Sequence, residues 1–303
     1  MTASASTTHR VTAFGLTVAS EIAIPELPET DSPNRPDVVV SRGTVDRPAN
    51  VAEDRTIYYR SPDEQLLLYE VANVSIRNGR EIVVDPEPDV PGEILRHLVI
   101  GPALNYLLRQ RGYFVLHAST VAIDEEAVAF VGESGVGKTT TAMAFLLAGE
   151  RVLSDDVAAI EPTANEPRVR GGYPSIKLDP TLVDRLDVPV DPPQSITPAR
   201  DRHFHGVRHE IPESTLPLKR IYLLEDADRE SVLPVDPQDR IFELVRNTYT
   251  VGLLGEIGRA ETNFRQCASL AESVPIKRLR RRRTLETLGR VVDLVREDLD
   301  ESR

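Results

Sequence analysis

Residues 132–139 read GESGVGKT, a complete G-x-x-x-x-G-K-[ST] pattern. In such a Walker A loop the glycines let backbone N–H groups converge on phosphate oxygens. The side chain of Lys138 would reach the β- and γ-phosphates of a nucleotide, and the hydroxyl of Thr139 would bind Mg²⁺. The predicted nucleotide-binding residues are Gly132, Glu133, Ser134, Gly135, Val136, Gly137, Lys138, Thr139 and Thr140.

The segments on either side of this loop fit that interpretation. Residues 127–131 are an apolar run of strand length, and residues 140–147 form a helical pattern that Gly149 ends. A strand, a glycine-rich loop and a helix place phosphates at a helix N-terminus, where the macrodipole favours anions. A chance match in an ordinary turn is the alternative, and the flanking pattern disfavours it.

The composition is that of a globular protein. The chain has 303 residues, 40% hydrophobic and 28% charged, enough for one large or two ordinary domains. Its net charge of −12 argues against a nucleic-acid partner. Apolar runs stay short of the ~18 residues that a membrane span needs, and residues 1–10 lack the apolar core of a signal peptide. We expect a cytoplasmic protein without a membrane partner, in which Cys267 occupies a core position.

The distribution of strand and helix signals divides the chain near residue 90. Residues 1–90 are rich in short strand candidates, and Asn78-Gly79 between two of them is a strong hairpin signal. Residues 85–91 cluster proline and aspartate and mark the boundary. We predict an α/β fold, with a smaller β-rich region at residues 1–90 followed by a P-loop domain at residues 91–303.

Within the second region, three patterns predict helices and one predicts a loop. The helices are expected at residues 238–247, 257–272 and 284–299. Residues 191–213 are rich in Pro, His and Arg without periodicity, so we expect a mobile loop there. A further helix begins near residue 93, and Pro102 should kink or interrupt it.

Asp155 and Asp156 follow Lys138 by 17 and 18 residues. This spacing leaves room for one helix and one short strand, so the carboxylates emerge at a strand end beside the phosphates. Phosphoryl transfer needs one carboxylate near Mg²⁺ and another near the attacking hydroxyl to take its proton. A solvated turn is the alternative, since aspartate is common in turns, but the nearby phosphate loop favours the functional interpretation.

Histidines and basic residues form the remaining candidates. His117 ends an apolar run two strands before the loop, where a structural histidine is more common than a catalytic one. The stretch HFHGVRH contains His203, His205 and His209, but lacks an adjacent acidic or cysteine shell, so polar surface is favoured over zinc. Arg200 and Arg202, just before it, could instead steady phosphate or substrate charge on closure.

A dense basic run occupies residues 277–283, with Lys277, Arg278 and four arginines at positions 280–283. Most such runs are solvated. In so acidic a chain this one could alternatively dock an acidic partner or a second subunit of a homo-oligomer.

Several of these motifs together resemble HPr kinase/phosphorylase and its HPr-kinase-like relatives. The resemblance rests on LHAST at residues 116–120, GESGVGKTT at 132–140, LSDD at 153–156, GGYPSIKL at 171–178 and FGLTVASEIAIPELP at 14–28. It implies a kinase fold related to that of phosphoenolpyruvate carboxykinase. The family has a Glu- and Arg-containing loop that supports the reverse reaction, and Arg170-Gly171-Gly172 matches this loop only in part. This difference argues against HPr itself as the substrate.

The resemblance implies roles for individual residues. Asp156 corresponds to the general base, Asp155 lies near the metal with Thr139, and His117 orients or polarises Asp156. With Lys138 on the phosphates, the sequence predicts a kinase that uses ATP and Mg²⁺ to phosphorylate a hydroxyl, most simply serine, of a peptide, protein or small molecule. The alternative is a regulatory protein that binds a nucleotide without transferring a phosphoryl group.

Overall fold

A computed structural model describes residues 8–49, 51, 56–61, 63–161, 166–173, 175–196, 203–207, 212, 214–249 and 260–301. The chain is mixed α/β and divides into two compact units. Unit 1 comprises Met1–Tyr113 and Glu256–Gly258, and unit 2 comprises Phe114–Gly255 and Arg259–Arg303.

Unit 1 is built on a seven-stranded sheet. Its strands are β1 (His9–Ala13), β2 (Leu16–Ser20), β3 (Val38–Arg42), β4 (Ile57–Ser61), β5 (Glu64–Leu68), β6 (Ala72–Arg77) and β7 (Glu81–Pro86). The spatial order is β1-β2-β3-β7-β6-β5-β4. The pairs β2–β3 and β3–β7 are parallel and the others are antiparallel.

The hairpin predicted at Asn78-Gly79 is confirmed, because it joins β6 to β7. Asn78 and Gly79 have φ angles of 54° and 60°, as a type I′ turn requires at both central positions. The backbone N–H of Arg80 closes the turn by donating to the carbonyl of Arg77 over 2.9 Å.

A helical segment follows the sheet within unit 1. It consists of α1 (Gly92–Leu98), a π-helical turn (Val99–Ala103) and α2 (Leu104–Gln110). Pro102 lies in the π turn, which accommodates the missing N–H without ending the helix. The Gln110 side chain accepts from the N–H of Gly79 over 2.6 Å and donates to the carbonyl of Ile76 over 3.0 Å. These bonds tie the segment to the hairpin, so unit 1 continues past residue 90 to Tyr113.

Unit 2 is built on a nine-stranded sheet and a three-stranded sheet. The larger sheet contains β8 (Phe114–Leu116), β9 (Ala118–Ile123), β10 (Glu126–Val131), β11 (Arg151–Ser154), β12 (Ala158–Glu161), β13 (Arg168–Arg170), β17 (Leu216–Asp226), β18 (Ser231–Pro234) and β19 (Ile276–Arg281). The smaller sheet contains β14 (Ser175–Leu178), β15 (Val190–Ile196) and β16 (His203–Val207).

The larger sheet brings β10 into its centre. The order β11-β9-β10-β17 places β10 between β9, which is antiparallel to it, and β17, which is parallel to it. Strand β19 continues the parallel arrangement beside β17. Since β11 is antiparallel to β9, it runs in the same direction as β10. The carboxyl ends of β10, β11, β17 and β19 therefore lie at the same edge.

Helices cover both faces of this sheet. They are α3 (Lys138–Leu147), α4 (Pro180–Leu186), α5 (Pro237–Arg246), α6 (Ala260–Ser273), a 3₁₀ turn (Leu285–Thr287) and α7 (Leu288–Asp300). Ala127 and Ala129 of β10 pack in the core with residues of α5 and α6, whereas Val128 and Phe130 pack with α3 and α7. Burial on both faces explains why β10 is an unbroken apolar run in the sequence.

Most of the predicted elements of unit 2 are found. The helices α3, α5, α6 and α7 lie where the periodicity predicts them, although residues 257–259 of the third predicted helix lie outside the described residues. Cys267 is fully buried in the core, as predicted.

The loop predicted over residues 191–213 is wrong where β15 and β16 form. Their order β14-β16-β15 puts β15 at an edge, with register shifts on both sides of Pro193. Edge strands and bulges tolerate proline, because an N–H is not needed there for pairing. Part of the remaining stretch lies outside the described residues.

A buried ionic cluster attaches α7 to the sheet. Asp298, only 6% exposed, accepts from the Tyr222 hydroxyl over 2.7 Å and pairs with Arg220 at 3.2 Å and with Lys277. Burial and the bond to Asp298 raise the pKa of Tyr222, so the phenol stays protonated and donates. The cluster joins strands β17 and β19 to the final helix.

Asp298→Ala is expected to lower the free energy of unfolding by about 3–5 kcal/mol, because it removes the carboxylate from a buried cation. Chemical denaturation followed by circular dichroism measures the change. Asp293→Ala, at an exposed position of the same helix, is the matched control and should stay within about 0.5 kcal/mol of the wild type. Equal stability of the two variants would contradict a structural role for the cluster.

In the described part of the chain, α-helices lack the combination of length and apolar character that a membrane span requires.

Candidate active site

The Walker A loop, residues 132–139, connects the carboxyl end of β10 to the start of α3. Gly135 and Gly137 have φ angles of 86° and 100°, a region that residues with a Cβ rarely adopt. Gly137 is the N-cap of α3. The backbone therefore presents the N-terminus of a helix to the space above the sheet edge, which is the geometry that binds phosphate.

Lys138 is folded back onto the loop. Its ammonium group donates to the carbonyl oxygens of Gly132 and Glu133, at 2.8 and 3.2 Å, and the residue is 6% exposed. The ammonium group of Lys138 thus lies against the Walker A loop, where a phosphate could replace the two carbonyls as its hydrogen-bond partner.

Asp155 lies next to the loop, as the strand order requires. Its carboxylate accepts from the Thr139 hydroxyl, with distances of 3.0 and 3.1 Å to its two oxygens. It also accepts from the Ser119 hydroxyl at 2.6 Å and from the Lys177 N–H at 3.1 Å. Burial and the neighbouring charge of Asp156 raise the pKa of Asp155. A divalent cation would compensate the buried charge of this carboxylate.

Asp156 pairs with a lysine. Its φ of 71° is left-handed, a conformation in which aspartate is enriched among residues with a Cβ. The Lys177 ammonium donates to its Oδ2 at 2.5 Å and also lies 4.8 Å from the centre of the Phe204 ring. Burial alone would raise the pKa of Asp156, but the ammonium groups of Lys177 and Lys138 outweigh it and lower that pKa. Asp156 is therefore ionised and can accept a proton.

His117 contacts the backbone of Asp156 instead of its carboxylate. The Nδ1–H of the ring donates to the Asp156 carbonyl over 3.1 Å, and the His117 N–H donates to the carbonyl of Asn247 over 2.8 Å. Burial and the charge of Lys138 lower the pKa of His117. The imidazole is thus neutral at pH 7 and holds the backbone that carries Asp156.

The basic run belongs to β19 and the turn after it. Its side chains form ion pairs within the chain: Lys277 with Asp298, Arg278 with Glu225 and Glu243, Arg280 with Glu225, Arg281 and Arg283 with Asp226, and Arg282 with Glu230. Asp and Glu side chains of the same chain therefore pair with these basic residues, for which the sequence suggested solvent or a docking partner.

Two clefts border the Walker A loop. One has a volume of about 510 Å³ and is lined by the loop, the carboxyl end of β17 and three arginines, Arg246, Arg278 and Arg283. The other has a volume of about 190 Å³ and is lined by Thr140, Thr141 and the turn after β19, among others.

The histidine-rich segment lies beside this site, because its Phe204 packs against Lys177. His203 and His205 lie in β16 with ring centres 6.2 Å apart, and His205 Nδ1–H donates to the carbonyl of Asp191. Within the described ranges, groups of three or more His, Cys, Asp or Glu side chains arranged to hold a metal are absent. His209, Arg200 and Arg202 lie outside the described residues.

Three kinds of residue in the site escaped the sequence analysis. Lys177 contacts both aspartates, Ser119 donates to Asp155, and Arg281 and Arg283 contact the Walker A loop. Lys177 carried a signal, because it is one of only four lysines in a chain that otherwise uses arginine. Ser119 lies in the quoted LHAST segment, but the partner of its hydroxyl depends on the pairing of β9 with β11.

Comparison with known proteins adds a weak structural neighbour. The chain is similar to the Hpr(Ser) kinase/phosphatase from Coxiella burnetii, with 14% identity and a TM-score of 0.32. The match covers 62% of this chain and 97% of that chain. No protein-family model and no curated protein sequence matches the chain. The residues of the site themselves therefore carry the functional conclusion.

Proposed function

We propose that this protein is a kinase that uses ATP and Mg²⁺ to phosphorylate a hydroxyl group, most simply serine, of a peptide, protein or small molecule. One observation carries the proposal: Thr139 of a complete Walker A loop donates to Asp155, whereas the carboxylate of the next residue, Asp156, accepts from the Lys177 ammonium. A carboxylate for the metal and a second one for the proton are the two that phosphoryl transfer needs.

The nucleotide would bind along the Walker A loop. Backbone N–H groups of the loop and the N-terminus of α3 supply donors for the β-phosphate. The Lys138 ammonium would leave the carbonyls of Gly132 and Glu133 and bind the phosphates.

The residues present fit Mg²⁺. Thr139 and Asp155 offer hydroxyl and carboxylate oxygens side by side, and Mg²⁺ prefers oxygen ligands, using one or two carboxylates together with phosphates. These two residues would hold the ion. When bound, it would neutralise negative charge on the phosphates.

Asp156 would act on the acceptor. As the acceptor oxygen forms its bond to the γ-phosphorus, the bond from that phosphorus to the β-phosphate oxygen breaks and ADP leaves. The hydroxyl proton passes to Asp156, whose free oxygen can accept it while Lys177 holds the other. His117 holds the backbone carbonyl of Asp156 and thereby its position. Positioning and charge stabilisation supply most of the rate in such reactions.

The test is transfer of label from γ-labelled ATP. Purified protein is incubated with Mg²⁺, labelled ATP and a serine-containing peptide library or cell lysate, and labelled acceptors are identified by mass spectrometry. We expect acceptor labelling in the wild type and its loss in Asp156→Asn. ATP binding without any labelled acceptor would instead indicate the regulatory nucleotide-binding protein.

A further inference from the structure

Carbonyl oxygens of the Walker A loop accept hydrogen bonds from cationic side chains. Lys138 takes the carbonyls of Gly132 and Glu133, the Arg283 Nη2 donates to the carbonyl of Gly135 at 2.5 Å, and the Arg281 Nη2 donates to the carbonyl of Val136 at 2.5 Å. In a loop that turns its N–H groups towards an anion, the carbonyls turn away from it. Each of these four carbonyls has a cationic donor.

Strand β19 fixes two of these donors in place. Arg281 is its last residue and is 4% exposed, whereas the Arg283 side chain is 55% exposed. Asp226, at the carboxyl end of the neighbouring strand β17, lies 4.0 Å from Arg281 and 3.5 Å from Arg283. Each guanidinium thus bridges a carboxylate at the sheet edge and a carbonyl of the loop.

Gly137 is required by the position of Arg281 as well as by the left-handed N-cap of α3. A Cβ at Gly137 would lie 2.7 Å from the Arg281 Nη2, whereas a Cβ at Gly135 would meet nothing within 4 Å. The missing side chain at Gly137 therefore leaves the space that the guanidinium occupies. The loop and Arg281 therefore fit each other.

We propose that Arg281 and Arg283 are positioning residues that hold the Walker A loop in its phosphate-binding shape before a nucleoside di- or triphosphate arrives. The inference rests on the nucleotide-binding part of the proposed function and adds the residues that prepare the site. A loop ordered in advance binds more tightly, because less conformational freedom is lost on binding. The guanidinium groups contact carbonyl oxygens of the loop, whereas phosphates bind to its N–H groups.

Three matched variants test the proposal: Arg281→Met, Arg283→Met and the control Arg282→Met. Each removes one positive charge from the same turn, but the Arg282 guanidinium pairs with Glu230 at 3.0 Å instead of contacting the loop. Calorimetry with Mg-ATP and Mg-ADP should show roughly 10–100-fold weaker binding for Arg281→Met and Arg283→Met, the value of a charge-assisted hydrogen bond. Arg282→Met should bind like the wild type.

The ratio of the two ligands separates positioning from direct contact. Because the loop holds the β-phosphate, positioning predicts equal fold losses for ATP and ADP. A loss confined to ATP would mean that an arginine contacts the γ-phosphate, and it would overturn the proposal. Affinities equal to those of Arg282→Met would overturn it too.

Hydrogen exchange in the ligand-free protein provides a readout that needs no nucleotide. The amides of residues 133–138 should exchange faster in Arg281→Met and Arg283→Met than in Arg282→Met. Unchanged exchange would refute the positioning role whether or not the chain binds ATP. A chain that binds no ATP would separately defeat the proposed function. Arg283, being half exposed, keeps the test decisive if Arg281→Met fails to fold.

Discussion

Asp156→Asn should lower phosphoryl transfer by ~10²–10⁴-fold, the usual contribution of a positioned general base, while Mg-ATP binding stays nearly intact. The amide cannot take the acceptor proton, but its oxygen can still accept from Lys177. Asparagine also tolerates the left-handed backbone of this position, φ 71°. Initial rates of label transfer and calorimetric ATP titrations of the same preparations measure the two effects separately.

Asp155→Asn should show the opposite pattern. Asp155 contacts Thr139, so its loss should weaken the Mg²⁺-dependent part of ATP binding, measured as the difference between titrations with and without the metal. His117→Ala should resemble Asp156→Asn more mildly, because the ring holds only the backbone of that residue. Asp293→Asn, at an exposed position of α7, controls for charge.

Interchanged phenotypes of the two aspartates would reverse their assignment and leave the kinase proposal in place. Normal transfer in both variants would rule out the two-carboxylate mechanism.

Lys138→Ala should remove most of the nucleotide affinity, with a loss of roughly 10²-fold or more, since hydrogen bonds from a charged donor contribute about 1.5–3 kcal/mol each. The substitution deletes the phosphate ligand and also the ammonium that holds the carbonyls of Gly132 and Glu133. Calorimetry with Mg-ATP measures the loss. Lys219→Ala is the control, because Lys219 is 46% exposed in its side chain and pairs with Glu126. ATP affinity unchanged by Lys138→Ala would defeat the assignment of the loop as a nucleotide site.

Local sequence patterns were sufficient for the elements that depend on neighbouring residues. The strand, loop and helix around residues 132–139 and the turn at Asn78-Gly79 follow from backbone preferences over a few positions. The approach of Asp155 to Thr139 could also be predicted, because a short strand between them fixes which sheet edge both reach.

Contacts that depend on distant strands could not be predicted in the same way. Lys177 reaches Asp156 because β14 passes beside the end of β11, and one sequence does not reveal that placement. Strand β15 could not be predicted because it contains prolines, and its partner β16 has no alternating strand pattern either. The ion pairs of the basic run could not be predicted because its carboxylate partners, such as Asp226 and Glu230, lie far from it in the sequence.

The support of the Walker A loop from β19 has a consequence for synthesis on the ribosome. Arg281 and Arg283 follow the carbonyls that they hold by 145 and 148 residues. At roughly 5–20 residues per second, roughly 7–30 s of translation separate the motif from its supports. A nascent chain thus exposes a complete nucleotide motif well before it can keep the loop in shape. Nucleotide capture should accordingly follow the synthesis of β19, and a chain cut short before residue 281 should carry the motif yet bind ATP weakly.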